Sequence, residues 1–412
     1  MPEFLKLVSP QSAAERFKQH LPVFQPQSEL IPTAEAVGRV TAEAVRAGEP
    51  SPAFSRSTVD GYAVRAADVY GASDGLPAYL ELAGEVPMGG APAFAIKAGQ
   101  AAVIYTGGML PEGADAVVML EYSQETRANE VELFRPVAVG ENVVKRGEDV
   151  AENQVVVPAG QRLRPAEIGG LMALGITHVR VNRQPRLGIL SSGDEVVPPD
   201  QPALPGQVRD CNTYSLAALV RQEGGLPATY PIIPDRVEAM SAAVARALAE
   251  NDGVIITAGS SASTRDLTAE VIQAQGQPGV LVHGISIKPG KPTILAVVNG
   301  KPVIGLPGNP VSTLVIAELF VRPMVAYLAG VKQKNWTPEV SAELTVNVPS
   351  QAGREDWIPV RLIEAGSGWK AEPVFFKSSL IFNLAQADGM VKCDLDATGL
   401  EAGQQVSVRL LN

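Results

Sequence analysis

The sequence predicts an α/β fold, with a mostly parallel sheet covered by helices on both faces and β-rich regions on either side of it in the chain. From Pro185 onward, short apolar segments alternate with helical patterns, which is typical of parallel strands joined by helices. A chain of 412 residues is too long for one hydrophobic core, so several domains are expected. We predict an N-terminal region over 1–184, an α/β domain over 185–330 and a C-terminal all-β domain over 331–412.

The N-terminal region combines helical patterns with a β-rich insertion. Apolar spacing predicts helices over 3–20 and from Thr33 to Val45, and another that begins at Pro165 and stops at Gly175. Between about 48 and 147, glycine and proline separate short β-prone segments. We therefore predict a small β lobe inserted between helical segments.

The α/β domain brings several loops to one edge of its sheet. Strands are predicted over Leu187–Leu190, Gly253–Thr257 and Val280–Ile287, and a hairpin is predicted at Asn299-Gly300. A loop precedes or follows each of these elements. These loops cover 191–195, 258–266, 288–291 and 307–309. Because ligands of such sheets bind beyond the carboxyl ends of the strands, this coincidence predicts a binding site.

Two of these loops have the composition of an anion site. Lys288-Pro-Gly-Lys291 carries two ammonium groups, and Leu306-Pro-Gly-Asn309-Pro310 leads into a helix whose first residues are a natural N-cap and a natural first-turn proline. Lysines beside the N–H groups of a helix start favour anions. Each Pro-Gly pair alone is also explained as a simple turn, but the two together favour a site.

Composition narrows the possible partners. The net charge of −10 and the pI of about 5.0 argue against a general nucleic-acid or membrane-surface binder. Two cysteines form no disulfide framework, and the three histidines lack zinc-site spacing. The N-terminus shows no secretory signal, and no apolar segment is expected to span a bilayer. A cytoplasmic location is expected.

Ordered motifs along the chain carry a family resemblance. Ser57-Thr-Val-Asp-Gly-Tyr-Ala63, Tyr105–Glu121, Lys288–Pro292 and Gly305–Ser312 are similar to conserved motifs of the molybdopterin molybdenumtransferase family, to which bacterial MoeA and the E domain of gephyrin belong; the segments around Arg164–Gly175 and Pro185–Val196 also match in order. The resemblance covers nearly the whole chain. It implies a three-layer molybdopterin-binding α/β domain, an N-terminal helical segment with an inserted β lobe, and a C-terminal β barrel.

The resemblance also implies an activity and its residues. Members of the family insert molybdate into adenylylated molybdopterin and release AMP, with a divalent cation such as Mg²⁺. By this resemblance the catalytic residues are Asp60, Glu167, Asp210 and Asp266, of which the first three would also hold Mg²⁺. The substrate-binding residues would be Thr106, Ser192, Gly193, Asp194, Arg265, Lys288, Gly290, Lys291, Pro307, Gly308, Asn309 and Ser312. A homodimer that shares its sites is implied, with the adenylyltransferase of the same pathway as a further partner.

One loop departs from the family pattern, and this leaves alternatives open. The family's Ser-Gly-Gly-Val-Ser-x-Gly-Asp-x-Asp is replaced here by a stretch from Thr257 to Asp266 that loses one glycine and gains Arg265. Aligning Asp266 therefore needs a gap. A non-catalytic pterin-binding or scaffolding relative, and a nucleotide- or phosphate-binding transferase, are the alternative functions. Release of AMP from the adenylylated substrate separates them.

Overall fold

The computed structural model describes most of the chain. It describes residues 7–21, 23, 27–127, 129–258, 262–332, 338–366, 368–375 and 377–411, with 262–266 described in their backbone only. The first elements are α1 (Pro10–His20), β1 (Ser28–Pro32), β2 (Val45–Arg46) and β3 (Arg56–Ser57). Helix α1 packs with Phe17 against the α/β domain, in the same hydrophobic cluster as Leu187 and Ile255.

The predicted helix from Thr33 to Val45 is wrong. Only Thr33–Glu35 forms a short 3₁₀ turn, and Gly38 has a φ of 76°. The backbone of Thr41 bonds to Gln161, and Ala42 donates to Arg180, so this segment pairs with distant chain. Tertiary pairing overrides the helical spacing here.

The inserted lobe is one six-stranded sheet. Its neighbour order is β7-β4-β6-β5-β9-β8, and its core contains Val64, Leu80, Val118 and Leu133. Four of the six strands coincide with β-prone segments of the sequence, whereas the first and the fifth strand of the lobe were not predicted. The strands are β4 (Gly61–Val64), β5 (Ala78–Glu85), β6 (Gln100–Ile104), β7 (Ala116–Met119), β8 (Ser123–Arg127) and β9 (Glu130–Leu133).

After the lobe the chain completes the N-terminal region. Helix α2 begins at the predicted proline and packs through Leu171 on a small cluster with Leu163 and Val181. Strand β1 pairs with the last strand of the region in antiparallel fashion. These elements are β10 (Val143–Val144), β11 (Val155–Val157), α2 (Pro165–Ala173) and β12 (His178–Asn182).

The α/β domain is a three-layer structure. Its sheet has the order β16-β13-β17-β21-β20-β18, in which the first four strands are parallel and the last two alternate in direction. The strands are β13 (Arg186–Ser191), β14 (Val196–Val197), β15 (Val208–Arg209), β16 (Leu226–Thr229), β17 (Gly253–Ala258), β18 (Pro278–His283), β19 (Ile287–Lys288), β20 (Ile294–Val298) and β21 (Lys301–Pro307). The helices are α3 (Asn212–Gln222), α4 (Val237–Glu250), α5 (Ala262–Ala274), α6 (Pro310–Ile316) and α7 (Arg322–Leu328).

Alternate residues of the strands serve the two faces of this sheet. Ile255 packs with α3, α6 and α7, whereas Val254 and Ile256 pack with Met240 and Val271 of the opposite helices. The turn between β20 and β21 has positive φ at Asn299 and Gly300, so the hairpin prediction is confirmed.

A long helical stretch ends the domain. Residues Ala317–Val321 are π-helical and join α6 to α7 just before Pro323. By length and composition, the helical stretch Pro310–Leu328 could cross a membrane, whereas no such segment was expected from the sequence. However, 67% of this stretch is buried inside the protein, as in a core helix.

The C-terminal region is a closed barrel. Strands β24, β25, β22, β28 and β26 pair in that order, and β26 pairs again with β24 to close the ring. The short helix α8 was not predicted. The elements are β22 (Glu339–Leu344), β23 (Val348–Pro349), β24 (Glu355–Ala365), β25 (Gly368–Pro373), α8 (Ile381–Ala385), β26 (Gly389–Cys393), β27 (Gly399–Leu400) and β28 (Gln405–Leu410).

Candidate active site

The lysine loop joins the α/β domain to the barrel. Strand β19 does not extend the α/β sheet but pairs in parallel with β24, with Lys288 opposite Asp356. The loop closes through the Thr293 hydroxyl, which donates to the Gly290 carbonyl at 2.6 Å. Gly290 has a φ of 117°, and a Cβ there would lie 2.4 Å from Ile316. A side chain at this position would therefore push the loop off α6.

A cavity of about 480 Å³ lies between this loop, α6 and the barrel. Lys288, Lys291 and Arg354 contribute cations to its lining, and Asp356 contributes a carboxylate. The predicted residues Gly290 and Ser312 also line it. The remaining lining residues are mostly apolar: Ile287, Pro289, Pro292, Val348, Pro349, Trp357, Ile358, Val374, Phe375 and Ser378. Three cations in a partly apolar cleft favour an anionic ligand.

The turn before α6 differs from the predicted anion site. Asn309 is the N-cap residue and Pro310 begins the helix, as predicted, but the Asn309 side chain donates to the Ser378 hydroxyl at 3.0 Å. The Val311 N–H donates to the Ser378 carbonyl at 3.1 Å. A barrel segment therefore uses the first available N–H of the helix. Pro307, Gly308 and Asn309 are not among the described residues that line the cavity.

The loop after β13 carries an acidic group at the same edge of the sheet. The Asp194 carboxylate accepts from the Asp235 N–H at 3.2 Å. Burial raises the pKa of Asp235, and the charges of Asp194 and Glu195 raise it further. Asp235 Oδ1 and the Ser192 hydroxyl are both buried, and the Ser192 hydroxyl lowers the pKa of Asp235 by less than burial and the two charges raise it. Asp235 directly precedes Arg236, the N-cap residue of α4.

Gly193 in this loop has a φ of 148°, and a Cβ there would approach Glu195 Oε2 at 2.8 Å. A larger residue would displace the Glu195 carboxylate. Glycine thus keeps Asp194 and Glu195 at the strand end beside Asp235.

Asp60 lies on the β lobe with Thr106. Oδ1 of Asp60 accepts from the Thr106 N–H at 2.7 Å and from its hydroxyl at 2.9 Å. The backbone hydrogen bond from Thr106, followed by the hydroxyl, lowers the pKa of Asp60. Thr106 therefore keeps an exposed carboxylate ionised and in one orientation.

The other predicted carboxylates have structural partners. Glu167 accepts from the Arg164 N–H and guanidinium and from the Gln161 amide, and the Arg164 side chain lowers the pKa of Glu167. Both oxygens of Asp210, which is 8% exposed, accept from Thr213 in the first turn of α3. In the described residues, no group of three or more His, Cys, Asp or Glu side chains could hold a metal ion. Asp60, Glu167 and Asp210 therefore do not form one metal site within a single chain.

The loop that departs from the family pattern lies partly outside the described residues. Helix α5 begins at Ala262, earlier than predicted, so the backbone of Arg265 and Asp266 belongs to its first turn. Their side chains, and residues 259–261, lie outside the described part. The roles of Arg265 and Asp266 stay predictions.

The barrel residues of the site were not predicted from the sequence. Arg354, Asp356 and Ser378 line the cavity, and Glu195 and Asp235 complete the acidic group. Arg354 and Asp356 stand two residues apart before an apolar strand, a spacing that puts both on one face. That spacing was the available signal.

Comparison with known proteins matches each part of the chain to one family. The family model of the MoeA N-terminal region (domain I and II) matches residues 8–175. The model described as "Probable molybdopterin binding domain" matches residues 188–327, and that of the MoeA C-terminal region (domain IV) matches residues 341–411. A molybdopterin molybdenumtransferase of Nostoc is 33% identical over 390 residues, which cover 93% of this chain and 89% of that protein. The chain belongs to the MoeA family.

Two further relatives support this membership. A molybdopterin molybdenumtransferase of Haemophilus influenzae is 31% identical over 405 residues, which cover 97% of this chain and 98% of that protein. The crystal structure of the molybdopterin biosynthesis MoeA protein of Pyrococcus horikoshii has a TM-score of 0.86 and 31% identity, covering 98% of this chain and 100% of that one. The predicted fold, with its three-layer domain and closed barrel, is that of the MoeA family.

Proposed function

We propose that this MoeA-family protein is an enzyme of molybdenum cofactor biosynthesis that inserts molybdate into adenylylated molybdopterin and releases AMP. The observation that carries the proposal is the cavity in which Lys288, Lys291 and Arg354 meet between the α/β domain and the barrel. Molybdate is a dianion, and the other substrate carries phosphate groups. Both need cationic side chains to replace water.

The chain's own residues divide the work by their chemistry. Lys288 and Lys291 supply point charges, Arg354 supplies a planar fork that matches two oxygens of one anion, and Ser312 offers a hydroxyl. The apolar wall formed by Trp357 and its neighbours limits water, which strengthens these contacts. Pro307, Gly308 and Asn309 fix the position of α6 and hence of Ser312.

Magnesium is proposed beside Asp194 and Asp235, with water and substrate phosphates completing its shell, because no three carboxylates of the described residues form one metal site. Mg²⁺ usually takes one or two protein carboxylates and completes its shell with water and substrate phosphates. The buried Oδ1 of Asp235 and the raised pKa of this residue both indicate a place that a cation would stabilise. When bound, the ion would offset the charge of the substrate's phosphate groups. Asp194 and Asp235 would hold it beside the strand end.

Asp60 and Thr106 are proposed to act on a site of the partner subunit in a homodimer. They lie on the exposed face of the β lobe and are not among the described residues lining the cavity of their own chain. An ionised, oriented carboxylate can accept a hydrogen bond or a proton from a cation-bound water or from a group at the reacting phosphate. A cytoplasmic location and transient contact with the adenylyltransferase of the pathway complete the proposal.

The test is turnover by the purified protein. Adenylylated molybdopterin, molybdate and Mg²⁺ are incubated with the chain, and AMP and finished cofactor are quantified. We expect AMP release to depend on molybdate. We also expect finished cofactor to form in an amount equal to the AMP released. Tight pterin binding without AMP release would favour the non-catalytic relative. Absence of any pterin affinity would revive a general phosphate-binding transferase and would overturn the proposal.

A further inference from the structure

The cavity contains one carboxylate among its three cations. Asp356 is the second residue of β24 and is only 4% exposed. A carboxylate beside an anion site weakens the attraction for the ligand. Its presence here therefore calls for a compensating role.

Asp356 contacts two of the three cations directly. The Arg354 Nε donates to Oδ1 at 2.8 Å, and its Nη2 donates to Oδ2 at 3.3 Å. Lys288 Nζ lies 3.9 Å from Oδ2. Gln351 accepts from the Arg354 Nη1 at 3.3 Å. The guanidinium is therefore held on two sides, which fixes the plane of its fork.

Burial separates the carboxylate from the cations that it touches. The Asp356 side chain is 6% exposed, whereas the side chains of Arg354 and Lys288 are 33% and 60% exposed. The carboxylate thus lies beneath the two cations, and they occupy the more open side. The pairing of Lys288 with Asp356 between β19 and β24 also ties this arrangement to the junction of the two domains.

We propose that Asp356 is a positioning residue for oxyanion binding, which orients Arg354 and Lys288 toward the anion in the cavity. The inference rests on the proposed function, in which that anion is molybdate or a phosphate of the pterin substrate. Asp356 also reduces the charge of the four ionisable lining groups from three positive to two, equal and opposite to the charge of molybdate. Orientation of the cations outweighs the repulsion that the carboxylate adds.

The test uses the sign of the change in molybdate affinity. Asp356→Asn keeps the shape of the side chain but removes its charge. If Asp356 only adds negative charge near the anion, this variant binds molybdate more tightly than the wild type. If Asp356 positions Arg354 and Lys288, it binds molybdate more weakly, by about tenfold, the scale typical of lost supporting contacts. Tighter or unchanged binding in calorimetry with molybdate alone would overturn the proposal.

Matched variants separate positioning from general effects. Asp394→Asn is the control, because Asp394 is also an ion-paired barrel carboxylate, 2.8 Å from Lys392, but is 74% exposed. It should bind molybdate like the wild type. Asp356→Glu restores the charge and should recover part of the affinity that Asp356→Asn loses. If Asp356→Glu recovers none of the lost molybdate affinity, positioning by the charge of Asp356 is contradicted.

A double-variant cycle tests whether Asp356 acts through Arg354. Arg354→Ala and Asp356→Asn combined should weaken molybdate binding by less than the product of the single losses. Multiplicative losses would overturn the coupling. If Asp356→Asn does not fold, Arg354→Lys carries the test, because it keeps the charge and loses only the oriented fork. Unchanged affinity in that variant would overturn the proposal.

These outcomes are distinct from failure of the proposed function. If the wild-type protein releases AMP and Asp356→Asn binds molybdate with unaltered affinity, only the positioning role is rejected. A wild type that neither binds molybdate nor releases AMP rejects the function, and the positioning role falls with it.

Discussion

Replacing Lys291 by alanine should weaken anion binding more than any other single lysine change in the cavity. In the described part of the chain Lys291 has no ion-pair partner, whereas Lys288 shares its charge with Asp356 at 3.9 Å. A charge-assisted contact is worth about 1.5–3 kcal/mol. Since about 1.4 kcal/mol corresponds to a factor of ten, Lys291→Ala should raise the Kd for molybdate by about 10- to 150-fold.

The companion variants make this prediction specific. Lys288→Ala should cost less, because Asp356 already offsets part of the Lys288 charge in the wild type. Lys370→Ala is the control, because Lys370 is a barrel lysine with an ion pair of the same 3.9 Å length, to Glu343, and it does not line the cavity. Calorimetry with molybdate and with pterin measures the three Kd values. Wild-type affinity for both ligands in Lys288→Ala and Lys291→Ala would refute the anion site.

Three further predictions concern the carboxylates and the assembly. Asp210→Ala should lower the free energy of unfolding by about 2 kcal/mol, because it removes a helix cap and leaves the Thr213 hydroxyl unpaired; a normal Tm with lost AMP release would instead support a cation role. Thr106→Val removes one hydrogen bond to Asp60, so the pKa of Asp60 should rise and the acid limb of the pH–activity profile should move to higher pH; an unmoved limb would exclude Asp60 from turnover. Sedimentation should give about twice the 43.3 kDa chain mass, and a fully active monomer would contradict a shared site.

The α/β domain was predictable because its signals are local. The strands of this sheet are short and mostly apolar, α5 and α6 begin within a few residues of β17 and β21, and Asn299-Gly300 has the composition that its tight turn requires. The segment from Thr33 to Val45 was mispredicted for the opposite reason. Its apolar spacing suits a helix, but partners such as Gln161 and Arg180, far along the chain, take its backbone hydrogen bonds.

The candidate site was predictable only on one of its sides. The lysines stand in a recognisable loop, and the sequence indicated their place at the end of the sheet. Arg354 and Ser378 come from the barrel, and they reach the cavity because two-residue β19 pairs with β24. A strand of two residues has no periodicity to detect. Among the carboxylates, Asp210 and Asp235 both lie near helix starts, and only their burial and hydrogen-bond partners, which the sequence does not show, tell them apart.

The cavity owes its positive charge to side chains from two domains and not to the N-terminus of α6. Because the Ser378 carbonyl accepts from Val311 at the start of α6, the positive character of the cavity comes from Lys288, Lys291 and Arg354. Two of these cations belong to the α/β domain and one to the barrel. The anion site therefore forms only when the barrel is docked, and the same barrel segment both caps the helix and lines the cavity. A barrel displaced from β19 would lose Arg354, its orienting carboxylate and the cap together, so anion binding and domain docking should stabilise each other.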